Sequence, residues 1–330
     1  MTRPVPVEVT DSGSGLPAWI EPQLATLTKD RFSDPAWIFE RKLDGERCIA
    51  FADPAKVRLM SRNQRDISRT FPEVGNALEA QLMPPGYVLD GEIVAFDSHQ
   101  TSFARLQRRL GVENPGQSLI DAVPVFYYLF DVMHAEGRDT RALPQLERKD
   151  LLRQLLSFRD PLRYTDHRER DGQEYFRQAC RDGWEGLIAK RADAPYRSGR
   201  GRYWLKFKCE NAQEFVIGGY TDPKGTRPGF GALLIGYYDT HGRLTYAGKV
   251  GTGFSDATLR SLRKAMSRLS RGQSPFERGN LPRTTVHWVE PQLVGQIAFT
   301  EWTRDGQLRH PRFQGLRPDK DPAEVRRETV

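Results

Sequence analysis

The chain has 330 residues, of which 38% are hydrophobic and 28% charged, a balance typical of a folded globular protein and not of a disordered one. Its sequence holds no apolar run long enough to cross a membrane and no signal-peptide core after Met1, so we expect a cytoplasmic protein. The net charge is +7 and is concentrated from residue 213 onward, where there are 18 Lys and Arg residues and 12 Asp and Glu residues. This excess of positive charge favours a polyanionic partner such as nucleic acid, although a basic surface without such a partner would carry the same charge.

The first residues of note surround Lys42. Residues 1–16 are rich in Pro, Ser, Gly and Thr and predict a flexible tail. A strand pattern then leads into Glu40-Arg41-Lys42-Leu43-Asp44-Gly45-Glu46-Arg47. A lysine at a strand end beside a glycine turn can meet a ligand closely, and its amine is a nucleophile once its proton is removed. A solvated hairpin is the alternative that this stretch alone leaves open.

Charged groups recur at the predicted strand ends of the next part of the chain. Arg62 and Arg65 follow the alternating strand 57–61, and Asp90-Gly91-Glu92 divides the apolar run 87–97. Phe130-Asp131 ends a third strand pattern. Helical spacing predicts helices between these strands and after them, at 73–83, 102–110, 146–158 and 173–181.

The chain changes character near residue 212. Before it, Glu185-Gly186 precedes a short strand that contains Lys190, and the strand 203–208 places Lys206 and Lys208 on one face. After it, the pattern predicts one helix near 256–269 and strands at 214–220, 232–239, 244–250, 285–289 and 294–302. We therefore expect an α+β domain with antiparallel sheets and flanking helices over 17–212. An all-β barrel, most simply an OB-fold, is expected over 213–330.

Taken in order, these strand ends form a set of collinear motifs. They are K-L-D-G-E-R, S-R-N-Q-R, L-D-G-E-I-V, F-Y-Y-L-F-D, E-G-L-I-A-K, W-L-K-F-K and, at 317–320, R-P-D-K. The set resembles the covalent nucleotidyltransferase superfamily of ATP-dependent DNA ligases. The stretches I-E-P-Q-L-A-T-L, Y-A-G-K-V-G-T-G-F and F-T-E-W-T-R-D-G-Q-L-R-H-P-R-F-Q-G-L-R are similar to the ligase module of bacterial ligase D, which serves non-homologous end joining. The resemblance implies that 17–212 is a nucleotidyltransferase (adenylation) domain.

The resemblance assigns a role to each motif residue in adenylation. Lys42 would attack the α-phosphate of ATP, with Lys206, Lys208 and Mg²⁺ (or Mn²⁺) lowering its pKa and stabilising phosphate charge. Phe130 would stack on adenine, and Glu40 would accept a hydrogen bond from its exocyclic amine. The remaining nucleotide contacts implied are Arg47 and Glu92 at the ribose, Glu185 and Glu92 at the metal, and Lys190.

The same resemblance assigns the DNA contacts and the last motif. Arg62, with Arg65 in the same turn, would bind the DNA 5′-phosphate. Arg317 and Lys320 would orient pyrophosphate as the leaving group, which requires the second domain to close over the nucleotide in the first step and then to reopen.

The sequence thus predicts a monomeric ATP-dependent DNA ligase that seals 5′-phosphate/3′-hydroxyl breaks in duplex DNA, associated with the bacterial nucleoid. No NAD-specific segment or four-cysteine zinc motif is visible, which favours ATP over NAD⁺. The sequence leaves open whether a Ku-type end-binding protein recruits the chain. An RNA ligase or capping enzyme of the same superfamily is an alternative, and a non-catalytic OB-fold nucleic-acid binder is a second one from a different class.

Overall fold

The computed structural model describes residues 16–53, 55–81, 85–223 and 225–328. The predicted flexible tail therefore lies outside the described residues, apart from the buried Leu16. The chain divides into two compact units, Met1–Phe207 and Lys208–Val330, whereas the sequence placed the domain boundary after residue 212. Among the described residues, no helix is long and apolar enough to span a membrane.

The first unit is an α+β structure built on two sheets. One sheet has the strand order β1-β12-β11-β2-β10 and the other β4-β3-β5-β7-β8, with β6 beside β5 and β9 beside β7. The pairings of β1 with β12 and of β7 with β9 are parallel, whereas β2 pairs antiparallel with β10 and β11, and β5 pairs antiparallel with β3 and β7. The strands are β1 (Gln23–Leu27), β2 (Trp37–Arg41), β3 (Glu46–Asp53), β4 (Lys56–Ser61), β5 (Tyr87–Asp97), β6 (Gln100–Thr101), β7 (Val125–Ala135), β8 (Arg138–Asp139), β9 (Leu162–Tyr164), β10 (His167–Glu169), β11 (Gly186–Arg191) and β12 (Gly199–Lys208).

In the described part of this unit, five helices flank the sheets. They are α1 (Pro72–Glu79), α2 (Phe103–Leu106), α3 (Gln117–Ala122), α4 (Gln145–Leu155) and α5 (Gly172–Arg181). The main core of the unit packs α1, α2 and α4 against the second sheet, with Leu59, Leu89, Leu129 and Leu152 fully buried. The α3 helix was not predicted, because its six residues bury no side chain and so show no apolar periodicity.

The predicted helix at 102–110 is only partly correct. Its α-helical part is the four residues of α2, capped by the Ser102 hydroxyl. Arg109 lies beyond it, fully buried, and donates to the carbonyl oxygens of Thr70 and Val123 and to the Glu73 carboxylate. A buried guanidinium must find acceptors, so tertiary hydrogen bonds, and not helix propensity, fix this segment.

The second unit is an antiparallel sheet with one long helix. Its sheet has the order β15-β14-β13-β17-β16, with β20 beside β17. The helix α6 begins at the Ser255 cap and buries Leu259, Leu262 and Met266 against the sheet. The elements are β13 (Asn211–Thr221), β14 (Leu233–Tyr238), β15 (Leu244–Val250), α6 (Asp256–Ser267), β16 (Ser270–Arg271), β17 (Val286–Phe299), β18 (Glu301–Trp302), β19 (Leu308–Arg309), β20 (Arg312–Leu316) and a 3₁₀ turn at Pro322–Glu324.

The predicted strand 285–289 and most of the predicted strand 294–302 form one continuous strand, β17, which ends at Phe299. Both halves pair with β13, and the register shifts between Ile217 and Gly219 to accommodate the residues between them. Pro291 lies between the two predicted strands, and a proline cannot donate a hydrogen bond to a neighbouring strand. A bulge absorbs it, because β13 is long enough to pair with both halves.

Candidate active site

Lys42 lies where the ends of two neighbouring strands meet. The β2 and β11 strands are antiparallel partners, with Leu187 opposite Arg41, so the residue after β2 faces the residues before Leu187. The Lys42 backbone N–H donates to the Gly186 carbonyl at 2.9 Å, and its Nζ lies 2.5 Å from Glu185 Oε2. The Lys42 side chain remains 20% exposed, so this amine is both held and accessible to a substrate.

Carboxylates determine the protonation of Lys42. Burial lowers its pKa, but the charges of Glu185, Asp44 and Glu92 outweigh burial, and the pKa is raised above its ordinary value. The predicted lowering of this pKa depends on Mg²⁺ together with Lys206 and Lys208, and it stays a prediction for the metal-bound site. The surrounding side chains are acidic, so the amine keeps its proton until a cation such as a metal ion offsets their charge.

The turn after Lys42 packs tightly against β5. A Cβ atom at Gly45 would lie 2.1 Å from the Ile93 carbonyl oxygen, so no larger residue fits there. The β5 strand pairs with β3 on one side and with β7 on the other. In these pairings Glu92 of β5 lies opposite Arg47 of β3 and opposite Tyr128 of β7. Side chains that are directly opposite share one face of a sheet, and the turn thus brings Lys42 to the face that carries Arg47 and Glu92.

Arg47 lies on this face and contacts a pair of aromatic side chains. Its guanidinium donates to both oxygens of the fully buried Asp90, at 2.5 and 2.6 Å, and lies over the Phe130 ring at 4.7 Å. Asp90 also accepts from the Tyr196 hydroxyl at 2.7 Å. The Phe130 ring meets that of Trp204 edge-on at 5.9 Å between centroids. Asp90 and Tyr196 thus fix the orientation of the arginine beside the ring predicted to bind adenine.

Lys190 lies under the same aromatic pair. Its Nζ is 4.3 Å from the centroid of Phe130 and 4.1 Å from that of Trp204, a cation–π geometry, and 2.8 Å from Glu40 Oε2. Burial lowers the pKa of Lys190 to about 8; Glu40 opposes this effect and Lys149 adds to it. The Glu40 carboxylate is therefore anchored next to the predicted adenine site.

The sequence did not suggest three residues of α4, namely Gln145, Arg148 and Lys149. All three are fully buried; Lys149 binds Glu40, while Arg148 and Gln145 bind Asp131. The signal was present, because Gln145, Arg148, Lys149 and Leu152 are spaced like the apolar face of a helix. Polar residues at apolar spacing indicate a buried polar network, and this one supports Glu40, Phe130 and Trp204 from behind.

The carboxylate oxygens near Lys42 fit a Mg²⁺ or Mn²⁺ ion that also binds substrate phosphates. Within the described ranges, no cluster of three or more His, Cys, Asp or Glu side chains can enclose a metal ion. Mg²⁺, however, commonly takes only one or two protein carboxylates together with substrate phosphates and water. Glu185 and Glu92, both of which act on the Lys42 charge, provide such a pair.

The remaining predicted residues of the first unit lie on β12 and after β4. Lys206 is two positions after Trp204 on β12, so its side chain is on the face that carries Trp204. Arg62 and Arg65 belong to the turn that follows β4, where the Arg65 backbone N–H donates to the Ser61 hydroxyl. Arg62 is partly buried and Arg65 exposed, which places both where a large ligand can reach them.

Three predicted residues belong to the second unit, and the structure gives each an acidic partner. Lys208 Nζ binds the Ala212 carbonyl and, at 3.0 Å, Glu328 Oε2. Arg317 forms a two-point pair with Asp319 at 2.9 and 2.7 Å. Lys320 Nζ lies 3.3 Å from Glu214 Oε1, which is also 3.7 Å from Arg317. Glu214 of β13, which the sequence did not suggest, therefore organises the R-P-D-K turn.

Two family models match the chain. The model described as ATP dependent DNA ligase domain covers residues 22–208, and the model described as ATP dependent DNA ligase C terminal region covers residues 226–320. All the residues of the cluster around Lys42 and Phe130 lie inside the first match, and the Arg317–Lys320 turn ends the second.

Known proteins give the same result. The multifunctional non-homologous end joining protein LigD of Pseudomonas aeruginosa is 39% identical over 317 residues, which are 94% of this chain and 37% of that protein. The solved mycobacterial DNA ligase D complexed with ATP and MES is 35% identical with a TM-score of 0.67, covering 93% of this chain and 98% of that one. The ligase domain from M. tuberculosis LigD is 36% identical with a TM-score of 0.50, at the same coverage. The chain spans about two fifths of the length of the LigD proteins that it matches.

Proposed function

This chain belongs to the ATP-dependent DNA ligase family, and from that membership we propose that it seals 5′-phosphate/3′-hydroxyl breaks in duplex DNA. The predicted fold, a nucleotidyltransferase domain followed by an OB-fold domain, is that of the family and is confirmed. The observation that carries the proposal is the position of Lys42, an accessible amine 2.5 Å from Glu185 on the face that presents Arg47, Glu92 and Phe130.

In the first step we assign the nucleophile to Lys42. The ammonium first gives a proton to an acceptor, for which the Glu185 carboxylate lies in place at 2.5 Å. The Nζ then forms a bond to the α-phosphorus of ATP while the bond from that phosphorus to the pyrophosphate oxygen breaks. Lysine suits this role because its pKa can move, whereas arginine stays protonated. Glu185 accepts from the ammonium before the reaction and so aims the amine. Glu185 and Glu92 would hold Mg²⁺, which when bound neutralises phosphate charge.

The other residues of the face hold the nucleotide. Phe130 offers a ring for adenine, and Arg47 and Glu92 offer a donor and an acceptor for the ribose hydroxyls. Lys206, on the Trp204 face of β12, is assigned to the phosphates, and Lys208 to the same task. In the second step AMP passes from Lys42 to the DNA 5′-phosphate, which Arg62 and Arg65 bind. In the third step the 3′-hydroxyl displaces AMP and the backbone is closed.

A nick-sealing assay tests this function. Nicked duplex DNA and nicked duplex RNA are incubated with the chain, Mg²⁺ and, in parallel, ATP, NAD⁺ or GTP. We expect sealing of the DNA nick with ATP alone. Sealing of RNA in preference to DNA would favour an RNA ligase, and binding of DNA without sealing or self-labelling under any condition would favour a non-catalytic binder.

The similarity to LigD extends the proposal to repair of DNA ends by non-homologous end joining in the bacterial nucleoid. A Ku-type end-binding protein is the partner that this role would require. Co-sedimentation of the chain with Ku-bound DNA ends, compared with bare ends at equal salt, tests the recruitment. Equal binding to both kinds of end would remove Ku from the proposal.

The R-P-D-K turn yields a prediction that separates the steps. We assign Arg317 and Lys320 to the departing pyrophosphate, so Lys320→Met and Arg317→Met should lower self-adenylation about tenfold or more, as loss of one charge-assisted contact in the transition state implies. Sealing of a pre-adenylated nick, which releases no pyrophosphate, should change much less.

Arg309→Met is the matched control for this pair of variants. Arg309 is also an arginine of the second unit in an ion pair, with Glu301, but its side chain is 58% exposed, and we expect neither step to change. An equal loss of self-adenylation and of pre-adenylated sealing in the Lys320 variant would contradict the assignment to pyrophosphate.

A further inference from the structure

Glu40 is the acceptor of two buried ammonium groups. Its side chain is 2% exposed; Oε1 accepts from Lys149 Nζ at 2.6 Å, and Oε2 lies 2.8 Å from Lys190 Nζ. A lysine ammonium has only donors, so both carboxylate oxygens face a donor. Any further partner of Glu40 must also be a donor.

Lys149 is rigidly held and reaches no other carboxylate among its described contacts. It is fully buried, donates a second hydrogen bond to the Thr165 carbonyl at 2.8 Å and lies 4.6 Å from the centroid of the Tyr164 ring. It comes from α4, a helix that supplies none of the residues predicted to touch the nucleotide. Lys190, by contrast, packs directly under Phe130.

From this arrangement we propose that Lys149 is a positioning residue that sets purine selectivity by fixing Glu40 as a pure acceptor. The inference rests on the proposed function, in which Glu40 meets the purine edge beside Phe130. A purine with an amino group at C6 donates to a fixed carboxylate, whereas a purine with a carbonyl there presents an acceptor to an acceptor. The mismatch buries the purine carbonyl against a second acceptor and without a donor, which is a strong source of discrimination.

Removing Lys149 frees one oxygen of Glu40 and lets the carboxylate turn. The turned carboxylate can then accept a hydrogen bond from the N1–H beside a C6 carbonyl as well as from a C6 amine. The selectivity therefore changes even if the lysine never touches the nucleotide. A lysine that only stabilised the fold would lower the use of ATP and GTP alike.

The test compares Lys149→Met with Arg153→Met. Arg153 is on the same α4 helix, one turn later, and also lies over the Tyr164 ring, at 5.0 Å, but it is 65% exposed and pairs with the exposed Asp166. Self-labelling by α-labelled ATP and GTP is measured over a range of concentrations. For Lys149→Met we expect the KM for ATP to rise about tenfold with a smaller change in the maximal rate. The ratio of ATP to GTP efficiency should fall by a similar factor, and Arg153→Met should match the wild type.

Lys149→Gln keeps the test decisive if the methionine variant does not fold. Glutamine retains one donor for Glu40, so its ATP/GTP ratio should lie between those of the wild type and Lys149→Met. A ratio unchanged from the wild type in a folded Lys149 variant overturns the inference. Absence of any labelling in the wild type would instead overturn the proposed function, and the two failures are thus distinct.

Discussion

Replacing Lys42 with alanine is expected to abolish covalent labelling of the chain by ATP. We propose this amine as the nucleophile of the first step, and the described structure places no second lysine amine against Glu185. Loss of a nucleophile removes the reaction path itself, so the decrease should reach the detection limit, roughly a thousandfold or more. Incubation with α-labelled ATP and Mg²⁺, followed by denaturing electrophoresis, measures the label.

Two controls separate loss of chemistry from loss of fold. Lys29→Ala removes an exposed lysine from the same unit and should label like the wild type. Lys42→Ala should still seal a pre-adenylated nick, because the third step uses the 3′-hydroxyl as nucleophile and needs no lysine amine. Undiminished labelling of Lys42→Ala would show that another residue carries the AMP.

The second large effect concerns stability. Arg148→Met should destabilise the first unit by about 3–5 kcal/mol, because it leaves the carboxylate of Asp131 buried without its cation. Both side chains are fully buried, with Arg148 donating to the two Asp131 oxygens at 2.7 and 3.0 Å. Arg148 cancels the cost of burial for Asp131 and holds the pKa of that carboxyl below its ordinary value. Urea unfolding followed by tryptophan fluorescence measures the change.

The exposed pair Arg141–Asp139 provides the matched control. Its side chains are 38% and 53% exposed, so Arg141→Met should cost about 0.2–1 kcal/mol. The double variant Arg148→Met with Asp131→Asn should recover part of the loss, since it removes both buried charges. A cost for Arg148→Met no larger than that of Arg141→Met would contradict the buried-pair account.

Much of the fold was predictable where the local pattern coincides with the tertiary contacts. The helix predicted at 173–181 is α5, because its apolar face packs Tyr175 and Ala179 against β11 and β2. Prediction failed where a distant partner decides the structure. Arg109 takes its conformation from three acceptors elsewhere in the chain, and β17 runs through Pro291 because β13 pairs on both sides of it.

Similar limits apply to the candidate site. The sequence placed Lys42, Phe130 and Glu185 on motifs that end strands, and the structure brings them to one region. The sequence did not reveal that Glu40 is bound by Lys149, since the two residues are 109 positions apart. Nor did it indicate the raised pKa of Lys42, which depends on the distances to Glu185, Asp44 and Glu92.

The amino-acid sequence by itself therefore determined which residues carry chemical groups, in which order, and on which type of element, because spacing and turn residues are local properties of the chain. Tertiary structure alone decided which charges face one another. A pKa, an ion pair or a buried polar network depends on distances of a few ångströms between residues far apart in sequence, and only the packing of β2 on β11 and of α4 on β7 fixes those distances.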